Sequence, residues 1–182
     1  MAEPFKNRIN AATVAILGTN LQRVWPDFDR TAFEHPALAG LQALALKARV
    51  MQLATALEAT LPSDFTHAAD VIEASLAPPL ALDAKGEPVT LTNVSDDNDM
   101  GGIGGWAVWP LGEFVARRGL HDVPRALLCL HAITQRFTAE FAIRPFIQQH
   151  PQLSFATLQR WVHDPSAHVR RLASEGSRPR LP

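Results

Sequence analysis

Cysteine and tyrosine are scarce in this sequence. Tyrosine is absent from the 182 residues, and Cys129 is the single cysteine. One thiol excludes an intrachain disulfide and a zinc site built from several cysteines. Because Cys129 lies in the apolar segment 126–130, we interpret it as a small buried hydrophobic side chain.

Long apolar runs are also missing. No stretch of eighteen consecutive apolar residues occurs, and the N-terminus lacks the apolar segment of a secretory signal. The sequence therefore predicts neither a membrane span nor secretion, and the expected location is the cytoplasm.

The alternation of β-branched and polar residues that marks a strand is absent, whereas leucine and alanine are abundant. Asn10 and Asp29 are expected to cap the first two helices. Residues 41–61 form the longest periodic stretch, with Arg49 off its apolar stripe, and Ser63 is expected to cap a further helix. The predicted fold class is all-α.

A segment rich in Pro, Gly, Asp and Asn, residues 78–105, interrupts the helical pattern and predicts a flexible loop. Short helices with brief links follow it, as stacked helical pairs require. We expect one HEAT-like-repeat domain over 1–182, divided into N-terminal helices (1–77), the loop (78–105) and basic helical pairs (106–182). The later helices are predicted at 109–117, 123–136, 139–149, 153–163 and 166–174, with Asp122, Thr138 and Asp164-Pro165 at three of their starts.

Charge is distributed unevenly along the chain although its net value is −1. Residues 1–100 hold seven Lys or Arg against thirteen Asp or Glu, whereas residues 101–182 hold ten Arg against five acids. The planar guanidinium can donate two parallel hydrogen bonds to a phosphate, so the second half is compatible with a surface that binds a polyanion. Arginines that merely cover helix surfaces explain the counts equally well.

The segment 104–113 contains two of the four tryptophans and a carboxylate. In a helix, Trp106, Trp109, Glu113 and Arg117 lie on one side and an apolar stripe lies opposite. Two tryptophans beside a carboxylate suit a pocket that stacks a cationic ring. The alternative is that both tryptophans belong to the core and Glu113 is a solvated surface acid.

A second constellation repeats every four residues at Arg136, Glu140 and Arg144. Glu140 and Arg144 can form a helical ion pair. Alternatively, Arg136 or Arg144 contacts a phosphate and Glu140 orients the guanidinium. A third basic cluster comprises Arg170, Arg171, Arg178 and Arg180, and Trp161 precedes it by one helix.

Familiar motifs for metals and phosphate loops do not fit. The pairs His121-Asp122 and His163-Asp164 are the nearest approach to metal ligands, but each aspartate is better explained as a helix cap. The glycine run at 101–105 lacks the Gly-Lys-Ser/Thr of a phosphate loop. We therefore expect no metal and no cofactor.

Five sequence blocks together resemble the AlkC branch of the DNA alkylation repair proteins, a type of HEAT-like-repeat alkylpurine DNA glycosylase. The resemblance implies a curved stack of HEAT-like helical pairs whose concave, basic face holds duplex DNA. We expect the chain to be a monomer. It also implies excision of bases alkylated at N3 or N7, chiefly 3-methyladenine and, in this branch, 3-methylcytosine. The blocks are residues 2–7 (AEPFKN), 46–50 (LKARV), 105–114 (GWAVWPLGEF), 135–146 (QRFTAEFAIRPF) and 168–182 (HVRRLASEGSRPRLP).

The resemblance also implies roles for individual residues. Glu113, four residues after Trp109, is similar to the tryptophan and carboxylate pair of the family site and is the expected catalytic residue, with Glu140 as the reserve. An alkylated purine already carries positive charge, so a carboxylate is needed to stabilise the oxocarbenium-like sugar and to position water rather than to act as an acid. The expected contacts to DNA or to the lesion are Trp106, Trp109, Arg136, Glu140, Arg144, Trp161, Arg170, Arg171 and Arg178.

Members of this branch are longer, and the resemblance implies that this chain lacks the C-terminal half. If further catalytic groups belong to that half, the chain binds DNA without excising a base. The alternative function is therefore a non-catalytic helical-repeat module that binds DNA or a protein partner.

Overall fold

The computed structural model describes residues 5–89 and 101–179, and within these ranges the regular structure is helical. The extended pairing in the described part consists of two isolated bridges, Leu76 with Ile103 and Leu82 with Pro88. The predicted all-α class is confirmed. The helices are α1 (Ala11–Val24), α2 (Arg30–Leu38), α3 (Leu46–Thr60), α4 (Phe65–Ser75), α5 (Val108–Arg118), α6 (Val123–Thr134), α7 (Arg144–Gln149), α8 (Pro151–Trp161) and α9 (Ala167–Gly176). None of them is long and apolar enough to cross a membrane.

Side-chain caps begin four of these helices. Asn10, Asp29 and Asp122 each accept a hydrogen bond from a backbone N–H of the first turn, as predicted. At the start of α4 the cap is Asp64 and not Ser63, because the Asp64 carboxylate accepts from the His67 N–H at 2.8 Å.

Two predicted helices are too long. Within 41–61, Leu41–Ala43 form a 3-10 turn and α3 begins at Leu46. Thr138 does not cap a helix over 139–149: residues 139–143 form turns, and α7 begins at Arg144. Pro145 explains the second start, since proline is accommodated in the first helical turn, where its missing N–H has no intrahelical partner.

The start of α9 also differs from the prediction. Pro165 does not occupy the first helical position, because α9 begins at Ala167. Asp164 instead accepts a hydrogen bond from the Ser166 N–H at 2.8 Å. The aspartate therefore orders the turn that precedes the helix.

The helices pack on one another around one continuous core. The α3 helix contacts α2 and α5, α1 contacts α2 and α4, and α6 contacts α4, α5, α8 and α9. Burying each large apolar side chain stabilises the fold by about 1.5–3 kcal/mol. Cys129 is among the fully buried residues, as predicted, and burial raises the pKa of its thiol. The largest buried side chains include Phe28, Phe33, Phe114 and Phe146.

Arg49 lies inside the protein, although the helical pattern placed it off the apolar stripe. Its exposed fraction is 3%. The guanidinium donates to the carbonyls of Lys6 (2.7 Å) and Ile9 (2.8 Å), and also to those of Gln42 (2.9 Å) and Leu44 (3.0 Å). These bonds satisfy the buried cation and join the N-terminal turn to α3. They also occupy carbonyls of the 41–45 segment, which explains why α3 starts late.

Backbone hydrogen bonds attach both ends of the segment predicted as a loop, residues 78–105, to the helical part of the protein. At one end, the Leu80 N–H donates to the Gln135 carbonyl at 2.9 Å; at the other, the Ile103 N–H donates to the Ser75 carbonyl at 2.8 Å. Gly86 has φ +75°, and a Cβ there would lie 2.5 Å from the Pro165 carbonyl oxygen, so glycine allows the close approach. The acidic run 96–99 lies outside the described residues.

We expect Arg49→Met to lower the free energy of unfolding by about 3 kcal/mol, because buried carbonyls lose their donors. Urea unfolding followed by circular dichroism measures the change. Arg23→Met is the control, since the Arg23 Nε contacts Asn20 within the same helix. Equal stability of the two variants would contradict the structural role of Arg49.

Candidate functional site

Trp106 and Trp109 lie side by side where a 3-10 turn, Gly105–Ala107, leads into α5. Their ring centroids are 6.0 Å apart, and both side chains are half-buried. The opposite side of α5 is the apolar stripe that the sequence predicts, with Val108, Leu111 and Val115 buried. Trp109 therefore faces away from that stripe, and both tryptophans pack against the core with part of each side chain accessible.

Three phenylalanines complete an aromatic cavity around the two tryptophans. Phe137 lies 5.1 Å from Trp106, Phe141 stacks on Trp109 at 5.5 Å with an interplanar angle of 18°, and Phe5 lies 6.0 Å from Trp106. The cavity has a volume of about 240 Å³, below the roughly 300–1,000 Å³ of sites for drug-sized ligands. A single flat ring system is the size of ligand that it suits. Its lining residues are Phe5, Leu46, Trp106, Trp109, Gly112, Phe137, Thr138, Ala139, Phe141 and Ala142.

The turn after α6 forms one wall of this cavity, and Gly112 allows it to come close to α5. A Cβ at Gly112 would lie 3.3 Å from the Ala142 Cβ, which is tight for two side chains. Phe137 and Phe141 project from this turn. The sequence carries a signal for both, because the two phenylalanines are four residues apart. Charged residues recur in the same segment at the same spacing, and the sequence-based prediction of a site there used the charged residues and missed the phenylalanines.

Glu113 lies one helical turn after Trp109 but is not among the residues that line the cavity. Its Oε1 accepts from the Arg117 Nε at 2.9 Å, and the Arg117 Nη1 also donates to the Glu58 Oε2 at 2.9 Å and the Thr55 hydroxyl at 3.0 Å. Partial burial lowers the pKa of Arg117, but the two carboxylates outweigh it and the net shift is upward. Glu113 is therefore held in place by a charged partner, neither buried in the core nor freely solvated.

The predicted helical face of Arg136, Glu140 and Arg144 is wrong, because Arg136 and Glu140 lie in the connection between α6 and α7 and only Arg144 belongs to a helix. Arg136 follows α6, where it donates to the carbonyls of Ala77 (2.7 Å) and Ala132 (2.8 Å), and burial lowers its pKa. A guanidinium so occupied has fewer donors left for a phosphate.

Glu140 pairs with Arg171 and not with the predicted partner Arg144. The Glu140 Oε1 lies 3.1 Å from the Arg171 Nη2, in an ion pair without hydrogen-bond alignment. Arg144, at the start of α7, donates from Nη2 to the Pro179 carbonyl at 3.1 Å. The first contact joins the turn after α6 to α9, and the second joins α7 to the end of the described chain.

The remaining residues expected to contact DNA differ in exposure. The side chains of Arg171 and Arg178 are 62% and 54% exposed. Arg170 bonds to Glu87 at 2.6 Å and to backbone carbonyls around it. Trp161 is 8% exposed and packs on the ring of His131, so a DNA contact through it would require its exposure. Arg180 lies outside the described residues.

Arginines of the second half pair with acids of the first half, an arrangement that the charge counts did not reveal. Arg117 binds Glu58, Arg170 binds Glu87, and Arg125 binds both Asp70 and Glu73. At least three of the ten arginines of the second half are therefore neutralised by acids of the first half within the fold. In the described part of the chain, no group of three or more His, Cys, Asp or Glu side chains is placed to hold a metal ion.

Comparison with known proteins relates this chain to part of longer ones. No protein-family model matches it. It is 31% identical over 178 residues to the uncharacterized protein YhaZ of Bacillus subtilis (strain 168), a match that covers 97% of this chain and 43% of the relative. The chain thus spans less than half the length of that protein.

A solved structure has the same fold. It is the alkylpurine DNA glycosylase AlkC of Pseudomonas fluorescens bound to DNA containing an abasic site analog. The TM-score is 0.80 at 30% identity, and the match covers 100% of this chain and 44% of that one. The helices of the present chain therefore adopt the helical-repeat arrangement of part of the AlkC structure.

We expect measurable coupling between Arg117 and each of its carboxylate partners. Double-mutant cycles that combine Arg117→Met with Glu113→Gln or Glu58→Gln should give about 0.5–1 kcal/mol each, decreasing as salt is added. The control is Glu34→Gln, because Glu34 pairs with Arg30 on α2 and should show no coupling to Arg117. Absence of coupling at low salt for both partners would contradict the arrangement.

Proposed function

We propose that this chain acts in DNA repair as a glycosylase that binds duplex DNA and excises cationic N3- or N7-alkylated bases, such as 3-methyladenine or 3-methylcytosine. The observation that carries the proposal is the cavity walled by Trp106, Trp109, Phe137 and Phe141. The likeness to the DNA-bound AlkC structure supports it.

The chemistry of the cavity suits an alkylated base. Aromatic faces attract cations, and the interaction is worth up to about 2 kcal/mol once the partners are desolvated. A base alkylated at a ring nitrogen carries a positive charge that its unmodified counterpart lacks. The cavity can therefore favour the damaged base by its charge, while stacking on Trp106 or Trp109 contributes to any flat ring.

Glu113 is the residue that we propose for the chemical step. Alkylation makes the base a good leaving group, so the barrier is lowered mainly by stabilising positive charge on the sugar and by orienting water. A carboxylate one helical turn from Trp109 is suited to both tasks. Arg117 fixes that carboxylate through its Nε, so we regard Arg117 as a positioning residue for Glu113.

Two exposed arginines near the cavity wall are suited to hold the DNA backbone, although each has a carboxylate partner: Arg171 pairs with Glu140, and the Arg178 Nη1 lies 2.9 Å from the Glu175 Oε2. The turn that supplies Phe141 also supplies Glu140, which pairs with the exposed Arg171 of α9. The α9 helix packs directly on this turn, since a Cβ at Gly176 would lie 2.6 Å from the Ile143 Cγ2. Arg171 and Arg178 are therefore the proposed phosphate contacts.

A second candidate function is a helical-repeat module that binds DNA, or a protein partner, without catalysis. The observation that favours it is that no carboxylate is among the described residues lining the cavity, while Glu113 is paired with Arg117. Such a module would use the same aromatic and cationic surfaces for recognition alone.

Release of 3-methyladenine from methylated duplex DNA separates the two candidates. We expect the wild-type chain to release the base and Glu113→Gln to reduce the rate by about a hundredfold or more, because stabilisation of the developing charge is lost. Glu34→Gln is the control: it removes a carboxylate that pairs with Arg30 on α2, away from the cavity and from Arg117, and should leave release nearly unchanged. No release by the wild-type chain would refute the enzymatic function and favour the recognition module.

DNA binding is expected to weaken steeply with added salt, because phosphate contacts displace counterions. The double variant Arg171→Gln and Arg178→Gln should lower the slope of log affinity against log salt by about 2. Arg160→Gln is the control, since the Arg160 Nη2 bonds to Thr157 on its own helix. Fluorescence anisotropy at several salt concentrations measures the slopes, and an unchanged slope in the double variant would exclude these two residues as phosphate contacts.

A further inference from the structure

Phe5 belongs to the aromatic cavity, although it lies about a hundred residues away from the tryptophans in sequence. It begins the N-terminal 3-10 turn, Phe5–Arg8, and its ring centroid is 6.0 Å from that of Trp106. The residue is nevertheless 70% exposed. One face of the ring is therefore available to a ligand, unlike the fully buried phenylalanines of the core.

The N-terminal turn that carries Phe5 is held in a fixed place by Arg49. The Arg49 Nη1 donates to the Lys6 carbonyl within the turn at 2.7 Å and to the Ile9 carbonyl just after it at 2.8 Å. The Asn10 side chain donates to the Asn7 carbonyl at 2.8 Å and adds a further constraint. A backbone bound at three carbonyls within four residues has little freedom to move its first side chain.

The α3 helix relates this anchor to the cavity. Leu46, three residues before Arg49 and on a neighbouring face of the helix, is itself one of the lining residues. Four aromatic rings form a row across the site. The centroid of Trp106 lies 6.0 Å from that of Phe5 and 6.0 Å from that of Trp109, and the centroid of Trp109 lies 5.5 Å from that of Phe141. The two end rings are the exposed ones, at 70% and 45%.

We propose that Phe5 is a ligand-contacting wall of the cavity, that it stacks on a cationic methylated purine, and that Arg49 is the residue that positions it. This inference rests on the proposed function and adds to it an element from the opposite end of the chain. Phe5 sets the preference for a charged ring, because the face of its ring is negatively polarised and attracts a cation.

The test measures binding of a free nucleoside, so that it does not depend on catalysis. The probe is 7-methylguanosine, which carries a positive charge on its ring, and guanosine is the uncharged reference. Quenching of tryptophan fluorescence reports binding next to Trp106 and Trp109. The wild-type chain is expected to bind 7-methylguanosine more tightly than guanosine.

Three variants and one control assign the effect to Phe5. Phe5→Ala should weaken 7-methylguanosine binding about fivefold or more, as removal of one stacking ring does elsewhere, and Phe5→Leu should retain bulk but lose the preference for the charged probe. Arg49→Lys should weaken binding less than Phe5→Ala, because an ammonium cannot reach four carbonyls as the guanidinium fork does. The control Phe155→Ala removes a phenylalanine of α8 that is 44% exposed and should change nothing.

The outcomes distinguish this inference from the proposed function. If Phe5→Ala and Phe5→Leu bind 7-methylguanosine as the wild-type chain does, or if the wild-type chain does not bind it, the inference is overturned, whatever the chain does to DNA. If binding depends on Phe5 but no base is released from methylated DNA, the inference holds and the glycosylase activity fails. Should Arg49→Lys not fold, the two Phe5 variants decide the matter alone.

Discussion

Ion pairs between the two halves of the chain are the interactions on which the arrangement of the site depends. Arg117 joins α5 to Glu58 of α3, and Arg125 joins α6 to Asp70 and Glu73 of α4. The apolar stripes of the helices drive their packing but are compatible with small sliding movements, whereas a guanidinium bound to two carboxylates is directional. The first pair orients α5, which carries Trp109, and the other two orient α6 relative to the N-terminal helices.

The same pairs change what the uneven charge means. The sequence separates acids from arginines, but the fold brings many of them together, so the excess of arginine after residue 100 does not amount to a basic surface of that size. Arg170 is occupied by Glu87 and by carbonyls, and Arg136 by carbonyls. Arg171 and Arg178 also have carboxylate partners, Glu140 and Glu175, but more than half of each side chain stays exposed, as phosphate binding needs.

Local signals in the sequence predicted part of the local structure, although the caps expected at Ser63 and Thr138 were wrong. The caps at Asn10 and Asp29 and the position of Trp109 away from the apolar stripe of α5 follow from spacing over a few residues. Features that depend on contacts between residues far apart in the sequence could not be predicted from local spacing. A charged residue such as Arg49 shows no sign in its own helix that carbonyls forty residues away will surround it, and Phe5 shows none that it adjoins Trp106. The start of α7 at Arg144 could have been predicted from the sequence, because Pro145 favours the first turn of a helix.

The cavity around Trp106 and Trp109 is central to the proposed recognition of the damaged base. Labelling the four tryptophans with fluorine and recording their NMR signals during titration with duplex DNA containing 7-methylguanine tests this role directly. Trp25, packed against Phe28 and His67, and Trp161, packed against His131, are internal references. We expect the signals of Trp106 and Trp109 to shift, more with the methylated duplex than with an unmodified one, while the other two stay in place. Shifts confined to Trp25 or Trp161, or equal shifts with both duplexes, would contradict recognition of the damaged base by this cavity.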